Sequence, residues 1–113
     1  MWTYTAYILN GFGERNNYSE IQFDELSNFV FGNLWQKQHL SFYETEEELK
    51  NDLRYLDRLG MIKFKQDKIS LNCSKLAMIS KIVEDSPLLT GVKLFDEYNR
   101  RINRAFDNYQ IKT

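Results

Sequence analysis

Cysteine is all but missing from this chain. Cys73 stands alone, so no internal disulfide can form and no cysteine-built metal site is available. With no histidine near it in sequence, it is expected to be a buried structural thiol, a redox sensor being the minor alternative. His39 is the only histidine. It lies in a polar stretch, where a surface or hydrogen-bonding role is expected rather than catalysis. There is no glycine-rich phosphate loop and no nucleophile elbow. The acids from Glu44 to Glu48 lack the alternating oxygen ligands and central glycine of a calcium loop. Pro87 is the single proline, and no low-complexity stretch, linker or internal repeat is present. No apolar run is long enough to span a membrane. Met1-Trp2-Thr3-Tyr4 has no basic region leading into an apolar one, so no secretory signal is expected. These absences predict a soluble, cytoplasmic protein that is not an enzyme and has no metal or cofactor.

What is present suits one packed domain. Hydrophobic residues make up 42% of the 113 and aromatics 15%, ample for a core and against disorder. Trp2, Tyr4, Tyr7 and Trp35 are expected in the core or at a dimer contact, not in a ligand cage. The net charge of −1 hides an asymmetry. Residues 1–57 carry four basic groups against ten acidic ones, whereas residues 58–113 carry eleven against six. A basic second half hints at an anionic partner, the alternative being a mixed solvated surface.

Tyr4, Ile8 and Phe12 share a helical face with Leu9 beside it, and Gly11 and Gly13 then offer a stop. Asn16-Asn17 makes a turn. Glu20-Ile21-Gln22-Phe23 alternates and is either a small edge strand or a helix start. Leu26, Phe29, Val30 and Leu34 predict a second helix from Asp24 to about Gln36, in which Gly32 costs about 1 kcal/mol relative to alanine. A polar connection, Lys37 to Glu44, follows. Thr45-Glu46-Glu47-Glu48 then fits a capping box, and Leu49, Leu53, Leu56 and Leu59 make a stripe closed by Gly60. Ile62 and Phe64 alternate with lysines, as do Ile69 and Leu71 with Lys68 and Ser70. That predicts a hairpin turning near Gln66-Asp67. Asn72 or Ser74 can cap a fourth helix with Leu76, Ile79, Ile82 and Val83. Ser86-Pro87 can open a fifth.

The order helix, helix, leucine-striped helix, Gly-Met-Ile, hairpin, helix resembles the winged helix-turn-helix superfamily over roughly residues 4–83. The stretch from Glu48 to Ile62 is similar to the end of that family's recognition helix, with leucines inward and a glycine before the first wing strand. Ile21 to Leu26 is similar to the start of its second helix. The connection from Gln36 to Glu44 departs from the pattern, being longer than a tight helix-turn-helix allows. The resemblance implies a mainly α fold with a small β-hairpin: a winged helix-turn-helix domain over 1–85, a C-terminal dimerisation helix over 86–110 and a tail at 111–113.

The resemblance also implies double-stranded DNA binding by a dimer, as in PadR-like small regulators of transcription, with helix 45–59 for recognition and 61–71 as the wing. Setting the leucines inward turns Asn51, Arg54 and Arg58 outward beside Glu47, with Lys50 and Tyr55 at the margins. Asn51 suits adenine, Arg54 guanine or a phosphate, and Lys63, Lys65 and Lys68 suit phosphates. Arg100, Arg101 and Arg104 add a basic cluster that a solvated helix face also explains. Six acids against three bases over 44–58 argue the other way, and favour the alternative of a winged-helix protein-interaction module or assembly subunit. Phe95, Tyr98, Ile102, Ala105 and Tyr109, flanked by Leu94 and Phe106, form an apolar stripe. It is expected at a homodimer interface, the alternative being a fold-back onto the first helix. A small-molecule effector between the first and last helices is left open.

Overall fold

The computed structural model describes residues 2–16, 19–85 and 92–111, with side chains over 2–15, 19–85 and 97–109. Over these residues it is a mainly helical compact domain of five helices and a small three-stranded antiparallel sheet. Helix α1 spans Trp2–Asn16 and strand β1 Glu20–Gln22. Helix α2, Phe23–Asn28, runs directly into a π-helical segment, Phe29–Gln36. Helix α3 spans Glu46–Arg58, β2 Ile62–Lys65, β3 Lys68–Leu71, α4 Cys73–Asp85 and α5 Val92–Ile111. No helix among the described residues is long and apolar enough to cross a membrane.

Helix α1 runs straight through Gly11 and Gly13 instead of stopping there. The reason is tertiary: a Cβ on Gly11 would lie 2.6 Å from the Phe106 ring of α5. Gly11 is therefore a close-approach site inside a helix, not a cap. Glu20–Phe23 turns out to be strand and helix start in succession, since Ile21 pairs with Ile69 of β3 while Phe23 already begins α2.

The second helix is divided. Its π-helical part widens the turn so that Phe29, Val30, Asn33 and Leu34 are buried while Trp35 stays exposed, outside the core of the chain. His39 ends the stretch in the left-handed region (φ 57), a conformation histidine tolerates better than most residues. The polar connection after it is not polar on its inner side. Leu40, Phe42 and Tyr43 are buried in the core, with Tyr4 and Phe42 stacked at 5.2 Å. That explains its length: the loop delivers three core side chains before α3 begins.

Thr45 caps α3 as the sequence requires, its hydroxyl accepting the Glu48 N–H at 3.2 Å. Leu49, Leu53 and Leu56 are fully buried, whereas Leu59 is partly exposed and serves as the helix terminus ahead of Gly60 (φ 79). The β2–β3 turn places Gln66 and Asp67 at φ 52 and 60, the positive pair of a type I′ hairpin formed here without glycine. Asn72 caps α4, its side-chain oxygen accepting the Lys75 N–H. The sequence stripe on α4 splits, Leu76 and Val83 facing the core and Ile82 facing outward. The expected cap at Ser86-Pro87 lies outside the described residues.

The C-terminal stripe takes the fold-back alternative and not the expected interface position. Ile102, Ala105 and Phe106 are buried inside the chain, and Tyr98 and Tyr109 are partly buried against the same core. Phe12, Phe29 and Phe106 form an aromatic knot, with centroids at 5.2 Å for Phe12–Phe29 and Phe12–Phe106 and 4.5 Å for Phe29–Phe106. Helix α5 thus buries its apolar face against α1 and the π-helical segment, which leaves Ile102 and Ala105 no surface to offer a second copy. The side chain of Phe95 lies outside the described residues. Polar bonds seal the docking: Tyr7 donates to Asn99, Arg15 donates to Asn103, and Tyr109 donates to Glu25. The gap left between α1 and α5 is about 60 Å³, far below the roughly 300–1,000 Å³ of small-molecule pockets.

Candidate nucleic-acid interface

The sheet order is β1-β3-β2, and its register fixes which side chains share a face. Lys65 pairs with Lys68, Lys63 with Ser70, Gln22 with Lys68 and Glu20 with Ser70. Because alternate residues point to opposite faces, Lys63, Lys65 and Lys68 stand together on the solvent side. Ile21, Ile62, Phe64, Ile69 and Leu71 face the core. Glu20 is the only acid on that solvent face. All three lysines are exposed and share that face of the hairpin. Strand β1 adds Glu20 and Gln22 to the same face, which the hairpin pattern alone does not reveal.

On α3 the expected outward ridge of Glu47, Asn51, Arg54 and Arg58 is exposed. Arg54 is not idle there. Its guanidinium donates to Asn51 Oδ1 at 2.7 Å and lies 3.3 Å from Glu47. The two residues assigned to base reading are therefore already bonded to each other. Lys50 departs further from its expected role, its ammonium sitting 4.9 Å from the Phe23 ring centroid and 4.0 Å from Asp67 of the hairpin turn. It bridges helix to hairpin instead of standing free.

Five of the six acids that weighed against an anionic ligand have internal partners, Glu47 through Arg54 and four others as follows. Glu46 accepts the Ser27 hydroxyl at 2.6 Å, Asp52 accepts the Tyr43 hydroxyl at 2.5 Å, and Asp57 accepts the Phe64 N–H at 3.0 Å. Glu48 belongs to the capping box. Three of these bonds tie α3 to α2, to the preceding loop and to β2. Their carboxylates hold the helix in position, which sequence spacing could not reveal because each partner lies on another element. The Tyr43 hydroxyl also meets Thr5 Oγ1 of α1 at 2.6 Å. Burial, reinforced by the Asp52 carboxylate, pushes the Tyr43 hydroxyl well above its ordinary ionisation range.

The remaining candidates fall elsewhere. Arg101 donates to the His39 carbonyl and to Glu97, while Arg100 and Arg104 are exposed on α5, which packs on α1 and the π-helical segment. Cys73 is exposed at the start of α4, not buried, because Leu76 and Ser80 fill the inward positions of that helix. It lines an open groove of about 700 Å³ between Gly60, Lys63, Ser70 and Ser74. Among the described residues no cluster of three or more metal-ligating side chains forms. Set against known protein families, curated proteins and solved structures, the chain matches none of them.

Proposed function

We propose that the chain is a winged helix-turn-helix domain that binds double-stranded DNA, with α3 as recognition helix and the β2–β3 hairpin as wing, in the manner of a transcriptional regulator. The carrying observation is the shared solvent face of Lys63, Lys65 and Lys68. Three ammonium groups on a rigid two-stranded element suit the regularly spaced phosphates of a duplex. The helix–strand–helix–helix–hairpin order supports the assignment, and Lys50 against Asp67 braces α3 to the hairpin turn. No catalytic step is part of this proposal.

Fluorescence anisotropy with mixed-sequence duplex DNA at low and moderate salt tests it. Binding should weaken steeply with salt, and replacing Lys63, Lys65 and Lys68 together by glutamine should lower the log–log salt slope by roughly 2–3. Absence of binding at low salt would sink the proposal. One observation favours a second reading as a protein-interaction module: α3 opens on an acidic first turn and exposes Tyr55 and Leu59 at its other end. Under that reading the lysine variant changes nothing in the DNA titration.

A further inference from the structure

Helix α4 carries a second apolar feature that the core does not use. Met78 and Ile82 are 57% and 47% exposed, one turn apart on the side away from the buried Leu76, Ser80 and Val83. Lys75 and Asp85 extend the same stripe at its two ends, the spacing 75, 78, 82, 85 being three, four and three residues. Steps of three and four keep a helix face aligned.

The charges on this helix run against its own dipole. Its first turn holds Lys75 and no acid, and its last turn holds Glu84 and Asp85 and no base. A helix favours the reverse arrangement. Among the described residues neither Lys75 nor Asp85 has an ion-pair partner within the chain. Both stand exposed.

We infer that α4 is the homodimer surface, pairing antiparallel with the α4 of a second copy about a two-fold axis that crosses the outer face at the height of residue 80. Lys75 and Asp85 lie equally far from that axis, as do Met78 and Ile82. Antiparallel pairing therefore sets each Lys75 against the other copy's Asp85 and each Met78 against the other Ile82. The same surface meets itself, as a two-fold interface demands. The charges that oppose their own helix dipole then fall beside the complementary end of the neighbouring helix. The Lys75 side chain lies over Gly60, which brings the end of α3 and its exposed Leu59 to the edge of this interface. The inference stands independently of DNA binding.

Sedimentation velocity from micromolar to millimolar concentration tests it on the intact chain. The wild type should pass from monomer to dimer, and Ile82→Glu should stay monomeric throughout. Lys75→Glu or Asp85→Lys alone sets like charges in contact at two symmetric places, and should raise the dimer dissociation constant roughly tenfold. The double exchange should restore most of that loss, an outcome that a merely structural role for either residue does not produce. All three side chains are exposed, and unchanged thermal melts would confirm intact folds. A wild type that is monomeric at millimolar concentration overturns the inference. So does a dimer indifferent to Ile82→Glu, or a double exchange no better than either single one.

Discussion

The carboxylate of Asp57 accepts the backbone N–H of Phe64 at 3.0 Å, which fixes the last turn of α3 to the first strand of the hairpin. Together with Lys50 against Asp67, this bond restrains the angle between the helix and the hairpin. Asp57→Ala should cost about 1–2 kcal/mol in urea unfolding, since a partly buried amide loses its charged acceptor. Asp57→Asn, which keeps an acceptor oxygen, should cost less. Faster hydrogen exchange at the Phe64 amide in both variants would locate the effect.

Gly11 and Gly32 separate two roles of glycine in a helix. A methyl group at Gly11 meets the Phe106 ring, whereas at Gly32 it meets nothing within 4 Å. Gly11→Ala should therefore destabilise by about 1–3 kcal/mol through displacement of α5. Gly32→Ala should stabilise by about 0.5–1 kcal/mol through lower chain entropy in the unfolded state. Opposite shifts in melting temperature are the check, and a stabilised Gly11→Ala would contradict the docking of α5.

Tyr43 predicts an alkaline limit to stability. Burial first, then the Asp52 carboxylate, raises its hydroxyl above the ordinary value of 10.0. The folded protein keeps a proton that the unfolded chain releases near pH 10. Stability is thus intact below that pH and falls as pH climbs above it. Tyr7, raised mainly by burial and next by Glu84, acts in the same direction. Tyr43→Phe should lower stability at neutral pH by about 1–3 kcal/mol, because Asp52 and Thr5 lose their shared partner. It should also flatten the decline between pH 10 and the point of alkaline unfolding. Denaturant titrations across that range report both effects.

Glu47 restrains the arginine assigned to DNA contact, lying 3.3 Å from Arg54. Glu47→Gln removes one negative charge from the outward ridge of α3 and leaves Asn51 as the remaining neighbour of that guanidinium. Duplex affinity should rise by roughly threefold to tenfold at low salt, with the gain shrinking as salt screens it. Arg54→Gln should lose affinity in both backgrounds. Equal affinities for Glu47→Gln and the wild type would remove α3 from the proposed contact surface.

Local pattern was enough for a good part of the architecture. The Thr45 box and the leucines at 49, 53 and 56 act within one helix, so spacing alone located α3. Alternation did the same for β2 and β3, where register follows from a two-residue turn. Of the candidate site, the exposure of Asn51, Arg54 and Arg58 and the common face of the hairpin lysines follow from those periodicities. The helix at Gly11, the buried Leu40, Phe42 and Tyr43, and the engaged acids of α3 do not. Each depends on a neighbour far along the chain: Phe106 for Gly11, Thr5 for Tyr43, Ser27 for Glu46.

The C-terminal helix shows where that boundary lies. Its sequence determined that Tyr98, Ile102, Ala105 and Tyr109 form one apolar stripe, because helical periodicity is a property of the chain itself. It could not determine which surface covers the stripe, since burial against the same molecule and against another copy remove similar apolar area from water. Tertiary structure decided it: Gly11 leaves room for the Phe106 ring, and Phe12 and Phe29 close around it. Among the apolar side chains left outside, Met78 and Ile82 of α4 are the two most exposed, a remainder that becomes visible only once the core has been filled.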